Sequence, residues 1–240
     1  GDRFCEECGT PLAITPGVAT LVATRGCEKC GAELEDIDTD GFCSKCGFRQ
    51  EIMSRECRER DRMEIAIQPN LAGVTDRGLR HLHNEDFLAC AKVEGKNAYI
   101  LVVCDGVSSS ESPDLAAKIA ADSVANFLTA AIQKGDKPEE AIKNAFATAL
   151  SSICAIHYTT GADTDPPSTT IVAAVAIDRT VTIGWLGDSR AYWISPDNSR
   201  QLTWDHSWIN EVVSLGRMSE AEAKKLPQAH AITRWLGADA

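Results

Sequence analysis

An α+β sandwich, with paired antiparallel sheets covered by helices and a small cysteine-rich module ahead of them, is the fold this sequence predicts. Three observations carry the prediction. Short runs with strand character flank two long stretches whose apolar residues keep helical spacing. Strands, then helices, then strands again is an α+β order, since each apolar face must bury against another. Six of the ten cysteines fall in the first 46 residues as three Cys-x-x-Cys pairs, too little chain to build a core of its own.

In the cysteine-rich stretch, Cys27/Cys30 and Cys43/Cys46 are separated by twelve residues, and each pair is followed by a glycine. Two such knuckles make one complete zinc ribbon, a tetrahedral thiolate site for one Zn²⁺. Phe4-Cys5-Glu6-Glu7-Cys8-Gly9 repeats Phe42-Cys43-Ser44-Lys45-Cys46-Gly47, so Cys5 and Cys8 resemble half of an earlier ribbon and a second Zn²⁺. The rival pairing joins Cys5/Cys8 to Cys27/Cys30, which orphans Cys43/Cys46. The expected organisation is a ribbon region at 1–48, a charged linker at 49–62 and the sandwich at 63–240.

Within the sandwich, alternation at 64–68 predicts a first strand, and 87–93 and 99–104 predict two more joined by a turn at 94–97. Ser112-Pro113 reads as an N-cap and first helical position, with Leu115, Ile119, Val124, Phe127, Leu128, Ala131 and Ile132 as the apolar stripe up to Gly135. A second helix starts near Pro138, with its stripe on Ile142, Ala145, Phe146, Ala149, Leu150, Ile153 and Ile156. After a polar loop at 159–167, strands at 170–177 and 180–186 form a hairpin around Asp178-Arg179, and 190–194 gives another strand. A helix is expected over 208–215, and Ser219-x-x-Glu222 is a capping box. The five tryptophans are read as packing residues, and the isolated Cys90, Cys104 and Cys154 as buried thiols on apolar stretches.

A net charge of −11 argues against a nucleic-acid or anionic-membrane partner, because phosphate attraction requires a positive surface. No uninterrupted apolar run reaches the roughly 20 residues of a membrane span, and no secretory signal opens the chain. Paired cysteines of the metal-binding kind point to a reducing, cytoplasmic compartment.

Chemistry concentrates around Asp105-Gly106, which ends the apolar run 99–104. A carboxylate at a strand end places a hard oxygen at a sheet rim, where a divalent cation can be held. Four companions follow in order: Asn84-Glu85-Asp86, Ser168-Thr169-Thr170, Gly187-Asp188-Ser189-Arg190 and Thr203-Trp204-Asp205-His206-Ser207. Over residues 61–240 this ordered set resembles the metal-dependent protein phosphatases of type 2C.

The resemblance implies a four-layer αββα sandwich and hydrolysis of phosphoserine and phosphothreonine by a metal-activated water. It implies that Asp105 bridges two Mn²⁺ or Mg²⁺ ions, that the Gly106 carbonyl completes one site, and that Glu85 acts through a water with Asp86 in support. Asp188 matches a position for a third ion, with a plain hydrogen-bonded turn as the alternative. The family's phosphate-binding arginine falls on His81, with Arg80 beside it, and Val107 to Ser112 replaces the usual glycine-rich continuation. The implied partners are a phosphorylated protein substrate and a serine/threonine kinase, with the ribbon as a docking or targeting module. A catalytically impaired phosphoprotein-binding regulator is the alternative. The family's further strands and two more aspartate motifs have no match here, so both ends are expected to be cut and the stretch alone to be a weak catalyst. Asp205-His206-Ser207 is read as structural, because neighbouring residues cannot converge as a triad.

Overall fold

The structure, a computed structural model, describes residues 27, 29–33, 36, 43–47, 61–67, 69–78, 83–158 and 165–239. The chain divides into two compact units, Gly1–Ser54 and Arg55–Ala240. Cys5, Cys8, residues 49–60 of the expected linker, Arg80 and His81 lie outside the described residues.

In the larger unit, β1 (Arg62–Ile67) and β2 (Leu71–Asp76) form a two-stranded antiparallel ladder. A four-stranded antiparallel sheet follows, ordered β3 (Asp86–Lys92), β4 (Ala98–Asp105), β6 (Ile171–Ile177), β7 (Thr180–Leu186). Between β4 and β6 the chain crosses one sheet face as α1 (Pro113–Lys134) and α2 (Pro138–Cys154), then enters the short strand β5 (Ser168–Thr169). The later elements are β8 (Tyr192–Trp193), β9 (Arg200–Gln201), α3 (Trp208–Ser214), α4 (Glu220–Ala223), a 3₁₀ turn Pro227–His230 and β10 (Leu236–Gly237), which pairs with β5.

Strand alternation decides what each face does. Ala98, Ile100, Val102 and Cys104 of β4 are at most 1% exposed and face the helices, joined by Ile171, Ala173 and Val175 of β6. Each valine and isoleucine among them contributes about 1.5–3 kcal/mol on burial, and the alanines less. Gly184 of β7 lies under Ile142 of α2, where a Cβ would stand 2.4 Å from Ile142 Cγ2. On the opposite face Leu88 and Cys90 of β3 meet Gly73 of β2. The sheet therefore carries helices on one side and the β1–β2 ladder on the other, the layering of a helix-covered sandwich.

Several expectations need correcting. The buried face of α1 is Ala116, Ala117, Ala120, Ala121, Val124, Ala125, Leu128, Ala131 and Ile132, while Leu115 is 40% exposed. Alanines let the helix axis approach both the sheet and α2, so the small side chains take the core and Leu115 and Ile119 stand at its margin. Ser112 precedes the helix but has φ 53° and makes no side-chain cap. The return of the chain onto Gly106, which packs against the Pro113 carbonyl, holds it in that left-handed turn. The first strand starts at Arg62 and has a partner, β2, that the weak pattern Leu-Ala-Gly-Val-Thr-Asp did not announce. The expected strand at 190–194 shrinks to Tyr192–Trp193. Trp193 and Trp204 are exposed rather than packed, and Cys154, at the end of α2, is exposed as well.

By length and composition α1 could span a bilayer, with 22 residues and a mean hydropathy of 1.3 over its most apolar window. Run length therefore does not exclude a membrane here. Its place in the fold is that of a core helix, with its alanine face against the sheet and Lys118 paired to Asp122 on its other side.

The hairpin, the Gly135 stop and the capping box are present as expected. Asp178 takes φ 52° at the β6–β7 turn, Gly135 takes φ 93° after α1, and Ser219 and Glu222 bond reciprocally at α4.

Candidate functional site

The site is built from two strand ends. β3 begins at Asp86 and β4 ends at Asp105, and the two are register partners at the last rung of their ladder. Opposed residues project to the same face with side chains in reach of one another. Both carboxylates therefore stand side by side at the sheet rim. The protein packed around Asp105 desolvates its carboxyl, and a bond to Asp86 with the charges of Asp86, Asp188 and Glu85 adds to this, so that it is pushed up to about 7. Carboxylate oxygens gathered at one rim are the donor type that suits a hard divalent cation.

The backbone around them is tied down. Gly106 N–H donates to the Glu85 carbonyl at 3.1 Å, and the Asp105 carbonyl accepts from Thr170 N–H at 2.8 Å and from the Thr169 hydroxyl at 2.9 Å. A Cβ at Gly106 would stand 2.5 Å from the Pro113 carbonyl oxygen and 2.8 Å from that of Glu85, so only glycine fits. Asn84 is buried. Its Nδ2 donates to Thr75 Oγ1 at 2.8 Å, its Oδ1 accepts from Asp86 N–H at 3.2 Å, and its own N–H donates to Asp61 Oδ1 at 3.2 Å. Glu85 accepts from the Ser108 hydroxyl.

The remaining motifs scaffold this rim. Thr170 Oγ1 and Ser189 Oγ are 2.7 Å apart, and Gly187, at φ 99°, lies where a Cβ would be 2.6 Å from Thr170 Cβ. That contact brings Asp188 near enough to act on Asp105. Arg190 grips Asp205 with its Nε 2.9 Å from Oδ1, while His206 Nδ1 accepts from Gly187 N–H at 3.2 Å. Asp205, His206 and Ser207 thus face different partners and form no triad.

A cleft of about 330 Å³ opens over the rim. Its lining includes the carboxylates Asp76, Glu85, Asp86 and Asp105, with Arg77, His83, Asn84 and Ser108. Asp188 and Gly106 border the site without lining this cleft. Sequence reasoning missed Asp76, Arg77, His83 and Ser108. The signal for the first two is an Asp-x-Gly turn ahead of Asn84, in which Asp76 Oδ1 accepts Gly78 N–H at 2.8 Å and Gly78 takes φ 70°.

A second cluster lies in the smaller unit. The Sγ atoms of Cys27, Cys30, Cys43 and Cys46 all fall within 4.8 Å of one another, with Cys27–Cys46 and Cys30–Cys43 both at 3.6 Å. Thiolates around a tetrahedral zinc, each about 2.3 Å from the ion, stand about 3.8 Å apart. The two knuckles match: Gly31 N–H donates to the Cys27 carbonyl and Gly47 N–H to the Cys43 carbonyl, both at 2.8 Å, with φ 73° and 66°. Burial resists ionisation of Cys27, yet the amides of Cys30 and Lys29 draw its thiol down to about 7. The Ala32 amide favours a Cys30 thiolate, but its sulfur neighbours push that thiol up to about 12. Four sulfurs this close together are a donor set of the kind that holds a single metal ion.

Comparison with known proteins gives one consistent picture. The family model described as protein phosphatase 2C matches residues 77–233. A Listeria innocua serine/threonine phosphatase is 29% identical over 167 residues, covering 69% of this chain. The protein phosphatase PhpP of Streptococcus pneumoniae is 25% identical over 177 residues, covering 73% of this chain and 68% of its own length. A crystal structure of a Staphylococcus aureus serine/threonine phosphatase superposes with a TM-score of 0.56 at 28% identity, over 68% of this chain and 63% of that one. The chain spans 66% of the length of the Listeria relative.

Proposed function

The chain belongs to the protein phosphatase 2C family, and from that premise we propose that it is a metal-dependent phosphatase removing phosphate from serine and threonine side chains of proteins. The observation that carries this reading is the Asp86–Asp105 rung with Glu85 beside it, an all-oxygen cluster whose central carboxyl is pushed up to about 7 by burial first and by its acidic neighbours second. Such a donor set fits Mn²⁺ or Mg²⁺.

Asp105 would bridge two ions, with the Gly106 carbonyl and Glu85 completing the ligands, Asp86 in support and Asp188 near a third. Ions so held would lower the pKa of a shared water and neutralise phosphoryl oxygens. The chain's own residues set the geometry. Asn84 fixes the strand entry of Asp86, Ser108 orients Glu85, and the Thr169 and Thr170 donors hold the Asp105 backbone. Arg80 and His81 are assigned to substrate phosphate by their place in the family motif.

The Cys27, Cys30, Cys43 and Cys46 cluster would take one Zn²⁺, with Cys5 and Cys8 part of a second site, and the ribbon would serve docking or targeting. Free thiols in this cluster are consistent with a reducing, cytoplasmic setting. The substrate would be a phosphorylated protein, and the counterpart a serine/threonine kinase.

The test is turnover of a phosphothreonine peptide by the full chain with Mn²⁺, with Mg²⁺ and with chelator. Metal-dependent release of phosphate supports the reading. Metal-dependent peptide binding without release points to a phosphoprotein-binding regulator instead.

A further inference from the structure

We propose that Asp61 is a positioning residue for the metal-binding rim, holding Glu85 and Asp86 in place through the backbone of Asn84; this rests on the metal-dependent reading above and adds a residue from outside the ligand set. Asp61 sits just ahead of β1 and precedes the segment 77–233 that matches the family model. The connection to the rim is direct. Asp61 Oδ1 accepts the Asn84 N–H at 3.2 Å. The Asn84 side chain then ties two strands, with Nδ2 donating to Thr75 Oγ1 of β2 at 2.8 Å and Oδ1 accepting the Asp86 N–H of β3 at 3.2 Å. The Asp61 carbonyl accepts the Arg77 N–H at 2.8 Å, one rung beyond the Arg62–Asp76 pair of the β1–β2 ladder. Asp61 is only 8% exposed, and Thr75 and Asn84 are buried with it, so the network lies behind the rim and out of solvent.

A bond that served folding alone would not need a carboxylate here. The buried Oδ2 of Asp61 has no hydrogen-bond partner among the described residues, and its ion pair with Arg77 Nε is long, at 3.7 Å. Taking a carboxylate out of water is costly, and partners this sparse do not offset it fully. A neutral acceptor would hold the same amide at a smaller cost. What the charge adds is a firmer hold, because a hydrogen bond to an ionised acceptor is roughly twice as strong as a neutral one. That hold acts on the residue directly before Glu85. A looser backbone there would let two carboxylates of the rim drift from the geometry an ion demands, and outer partners of this kind are what orient metal ligands.

Mn²⁺ titrated by calorimetry into the full chain reads the effect without turnover, on wild type, Asp61→Ala, Asp61→Leu and Asp61→Asn, with melts in chelator to confirm folding. Leucine fills the same space without an acceptor, a replacement that buried charges often tolerate, so it keeps the test open should the alanine variant not fold. Losing an outer partner of metal ligands typically costs about 10–100-fold in metal affinity, so Asp61→Ala and Asp61→Leu are expected to bind Mn²⁺ about tenfold more weakly or worse. Asp61→Asn, which keeps an oxygen for the Asn84 N–H, is expected to fall between these and wild type. With a phosphothreonine peptide, the Mn²⁺ concentration for half-maximal rate should rise by the same factor, and kcat at saturating Mn²⁺ should change less. Wild-type Mn²⁺ affinity in a folded alanine or leucine variant overturns the proposal, as does a loss in Asp61→Asn as deep as in Asp61→Leu, or wild type that binds no Mn²⁺. Wild type whose Mn²⁺ affinity depends on Asp61 but which releases no phosphate from the peptide removes the catalytic reading and leaves this assignment standing.

Discussion

Asp86 and Asp105 are partners on the last rung of the β3–β4 ladder, so two carboxylates share one face of the sheet where both strands meet solvent. Like charges placed directly opposite destabilise a strand pair. A fold that keeps such a pair at a strand end, with Glu85 and Asp188 acting on the same carboxyl, carries a local cost in stability at this rim.

Asp105→Asn should separate those two effects. It removes the carboxyl on which the other charges converge, so metal-dependent turnover should fall to background. In chelator the variant should melt a few degrees above wild type, because the repulsion is gone. Added Mn²⁺ should then raise the wild-type melting temperature but not that of the variant. Calorimetric melts with and without metal check it, and a variant still stabilised by Mn²⁺ would place the ions elsewhere.

Gly106→Ala should be damaging although the change is one methyl group. The new Cβ would sit 2.5 Å from the Pro113 carbonyl oxygen and 2.8 Å from that of Glu85. Neither backbone can yield without moving the start of α1 or the Glu85 segment. Overpacking of this kind costs typically 1–3 kcal/mol. Urea unfolding should show that loss together with reduced turnover, and wild-type behaviour in both would mean the rim is looser than described.

The rim was legible in the sequence because its parts are local. An apolar run ending in Asp-Gly, and an Asn-Glu-Asp that opens the strand before it, announce themselves by type and order. Asp76 and Arg77 were not legible, because they enter the cleft from β2, whose glycine and short alternation hide a strand. Only pairing with β1 and cover from Leu88 reveal it. The face of α1 was misread for a related reason. Apolar periodicity favours large residues, while close packing against a sheet and a second helix selected alanines. Long, self-contained features such as the β6–β7 hairpin could be read directly.

His206 should make the larger unit sensitive to mild acid. Burial, then the charge of Arg234, lowers its pKa from 6.5, with Asp205 opposing. Its Nδ1 accepts the Gly187 N–H and so must be unprotonated. A depressed pKa means the unfolded chain takes up the proton first. The stability His206 contributes is therefore complete above about 6.5 and is lost as pH falls through the lower folded value. Melts between pH 7.5 and 5.5 should show a steeper decline for wild type than for His206→Gln. Parallel declines would refute the role.

Zinc should be held by the smaller unit independently of the phosphatase site. The two short sulfur pairs at 3.6 Å match tetrahedral thiolate spacing, and the sulfur neighbours of Cys30 raise its thiol. Metal analysis of the full chain after dialysis should find tightly bound zinc, and Cys27→Ser with Cys43→Ser should release one equivalent. Because the ligands must shed protons to bind, zinc affinity should fall with acidification. Turnover of a small phosphorylated peptide should survive the double substitution, since its chemistry rests on Asp105. Loss of zinc with unchanged peptide turnover but slower dephosphorylation of an intact protein would mark the ribbon as a docking element. Equal loss on both substrates would tie the ribbon to the catalytic unit and rule out a purely docking role.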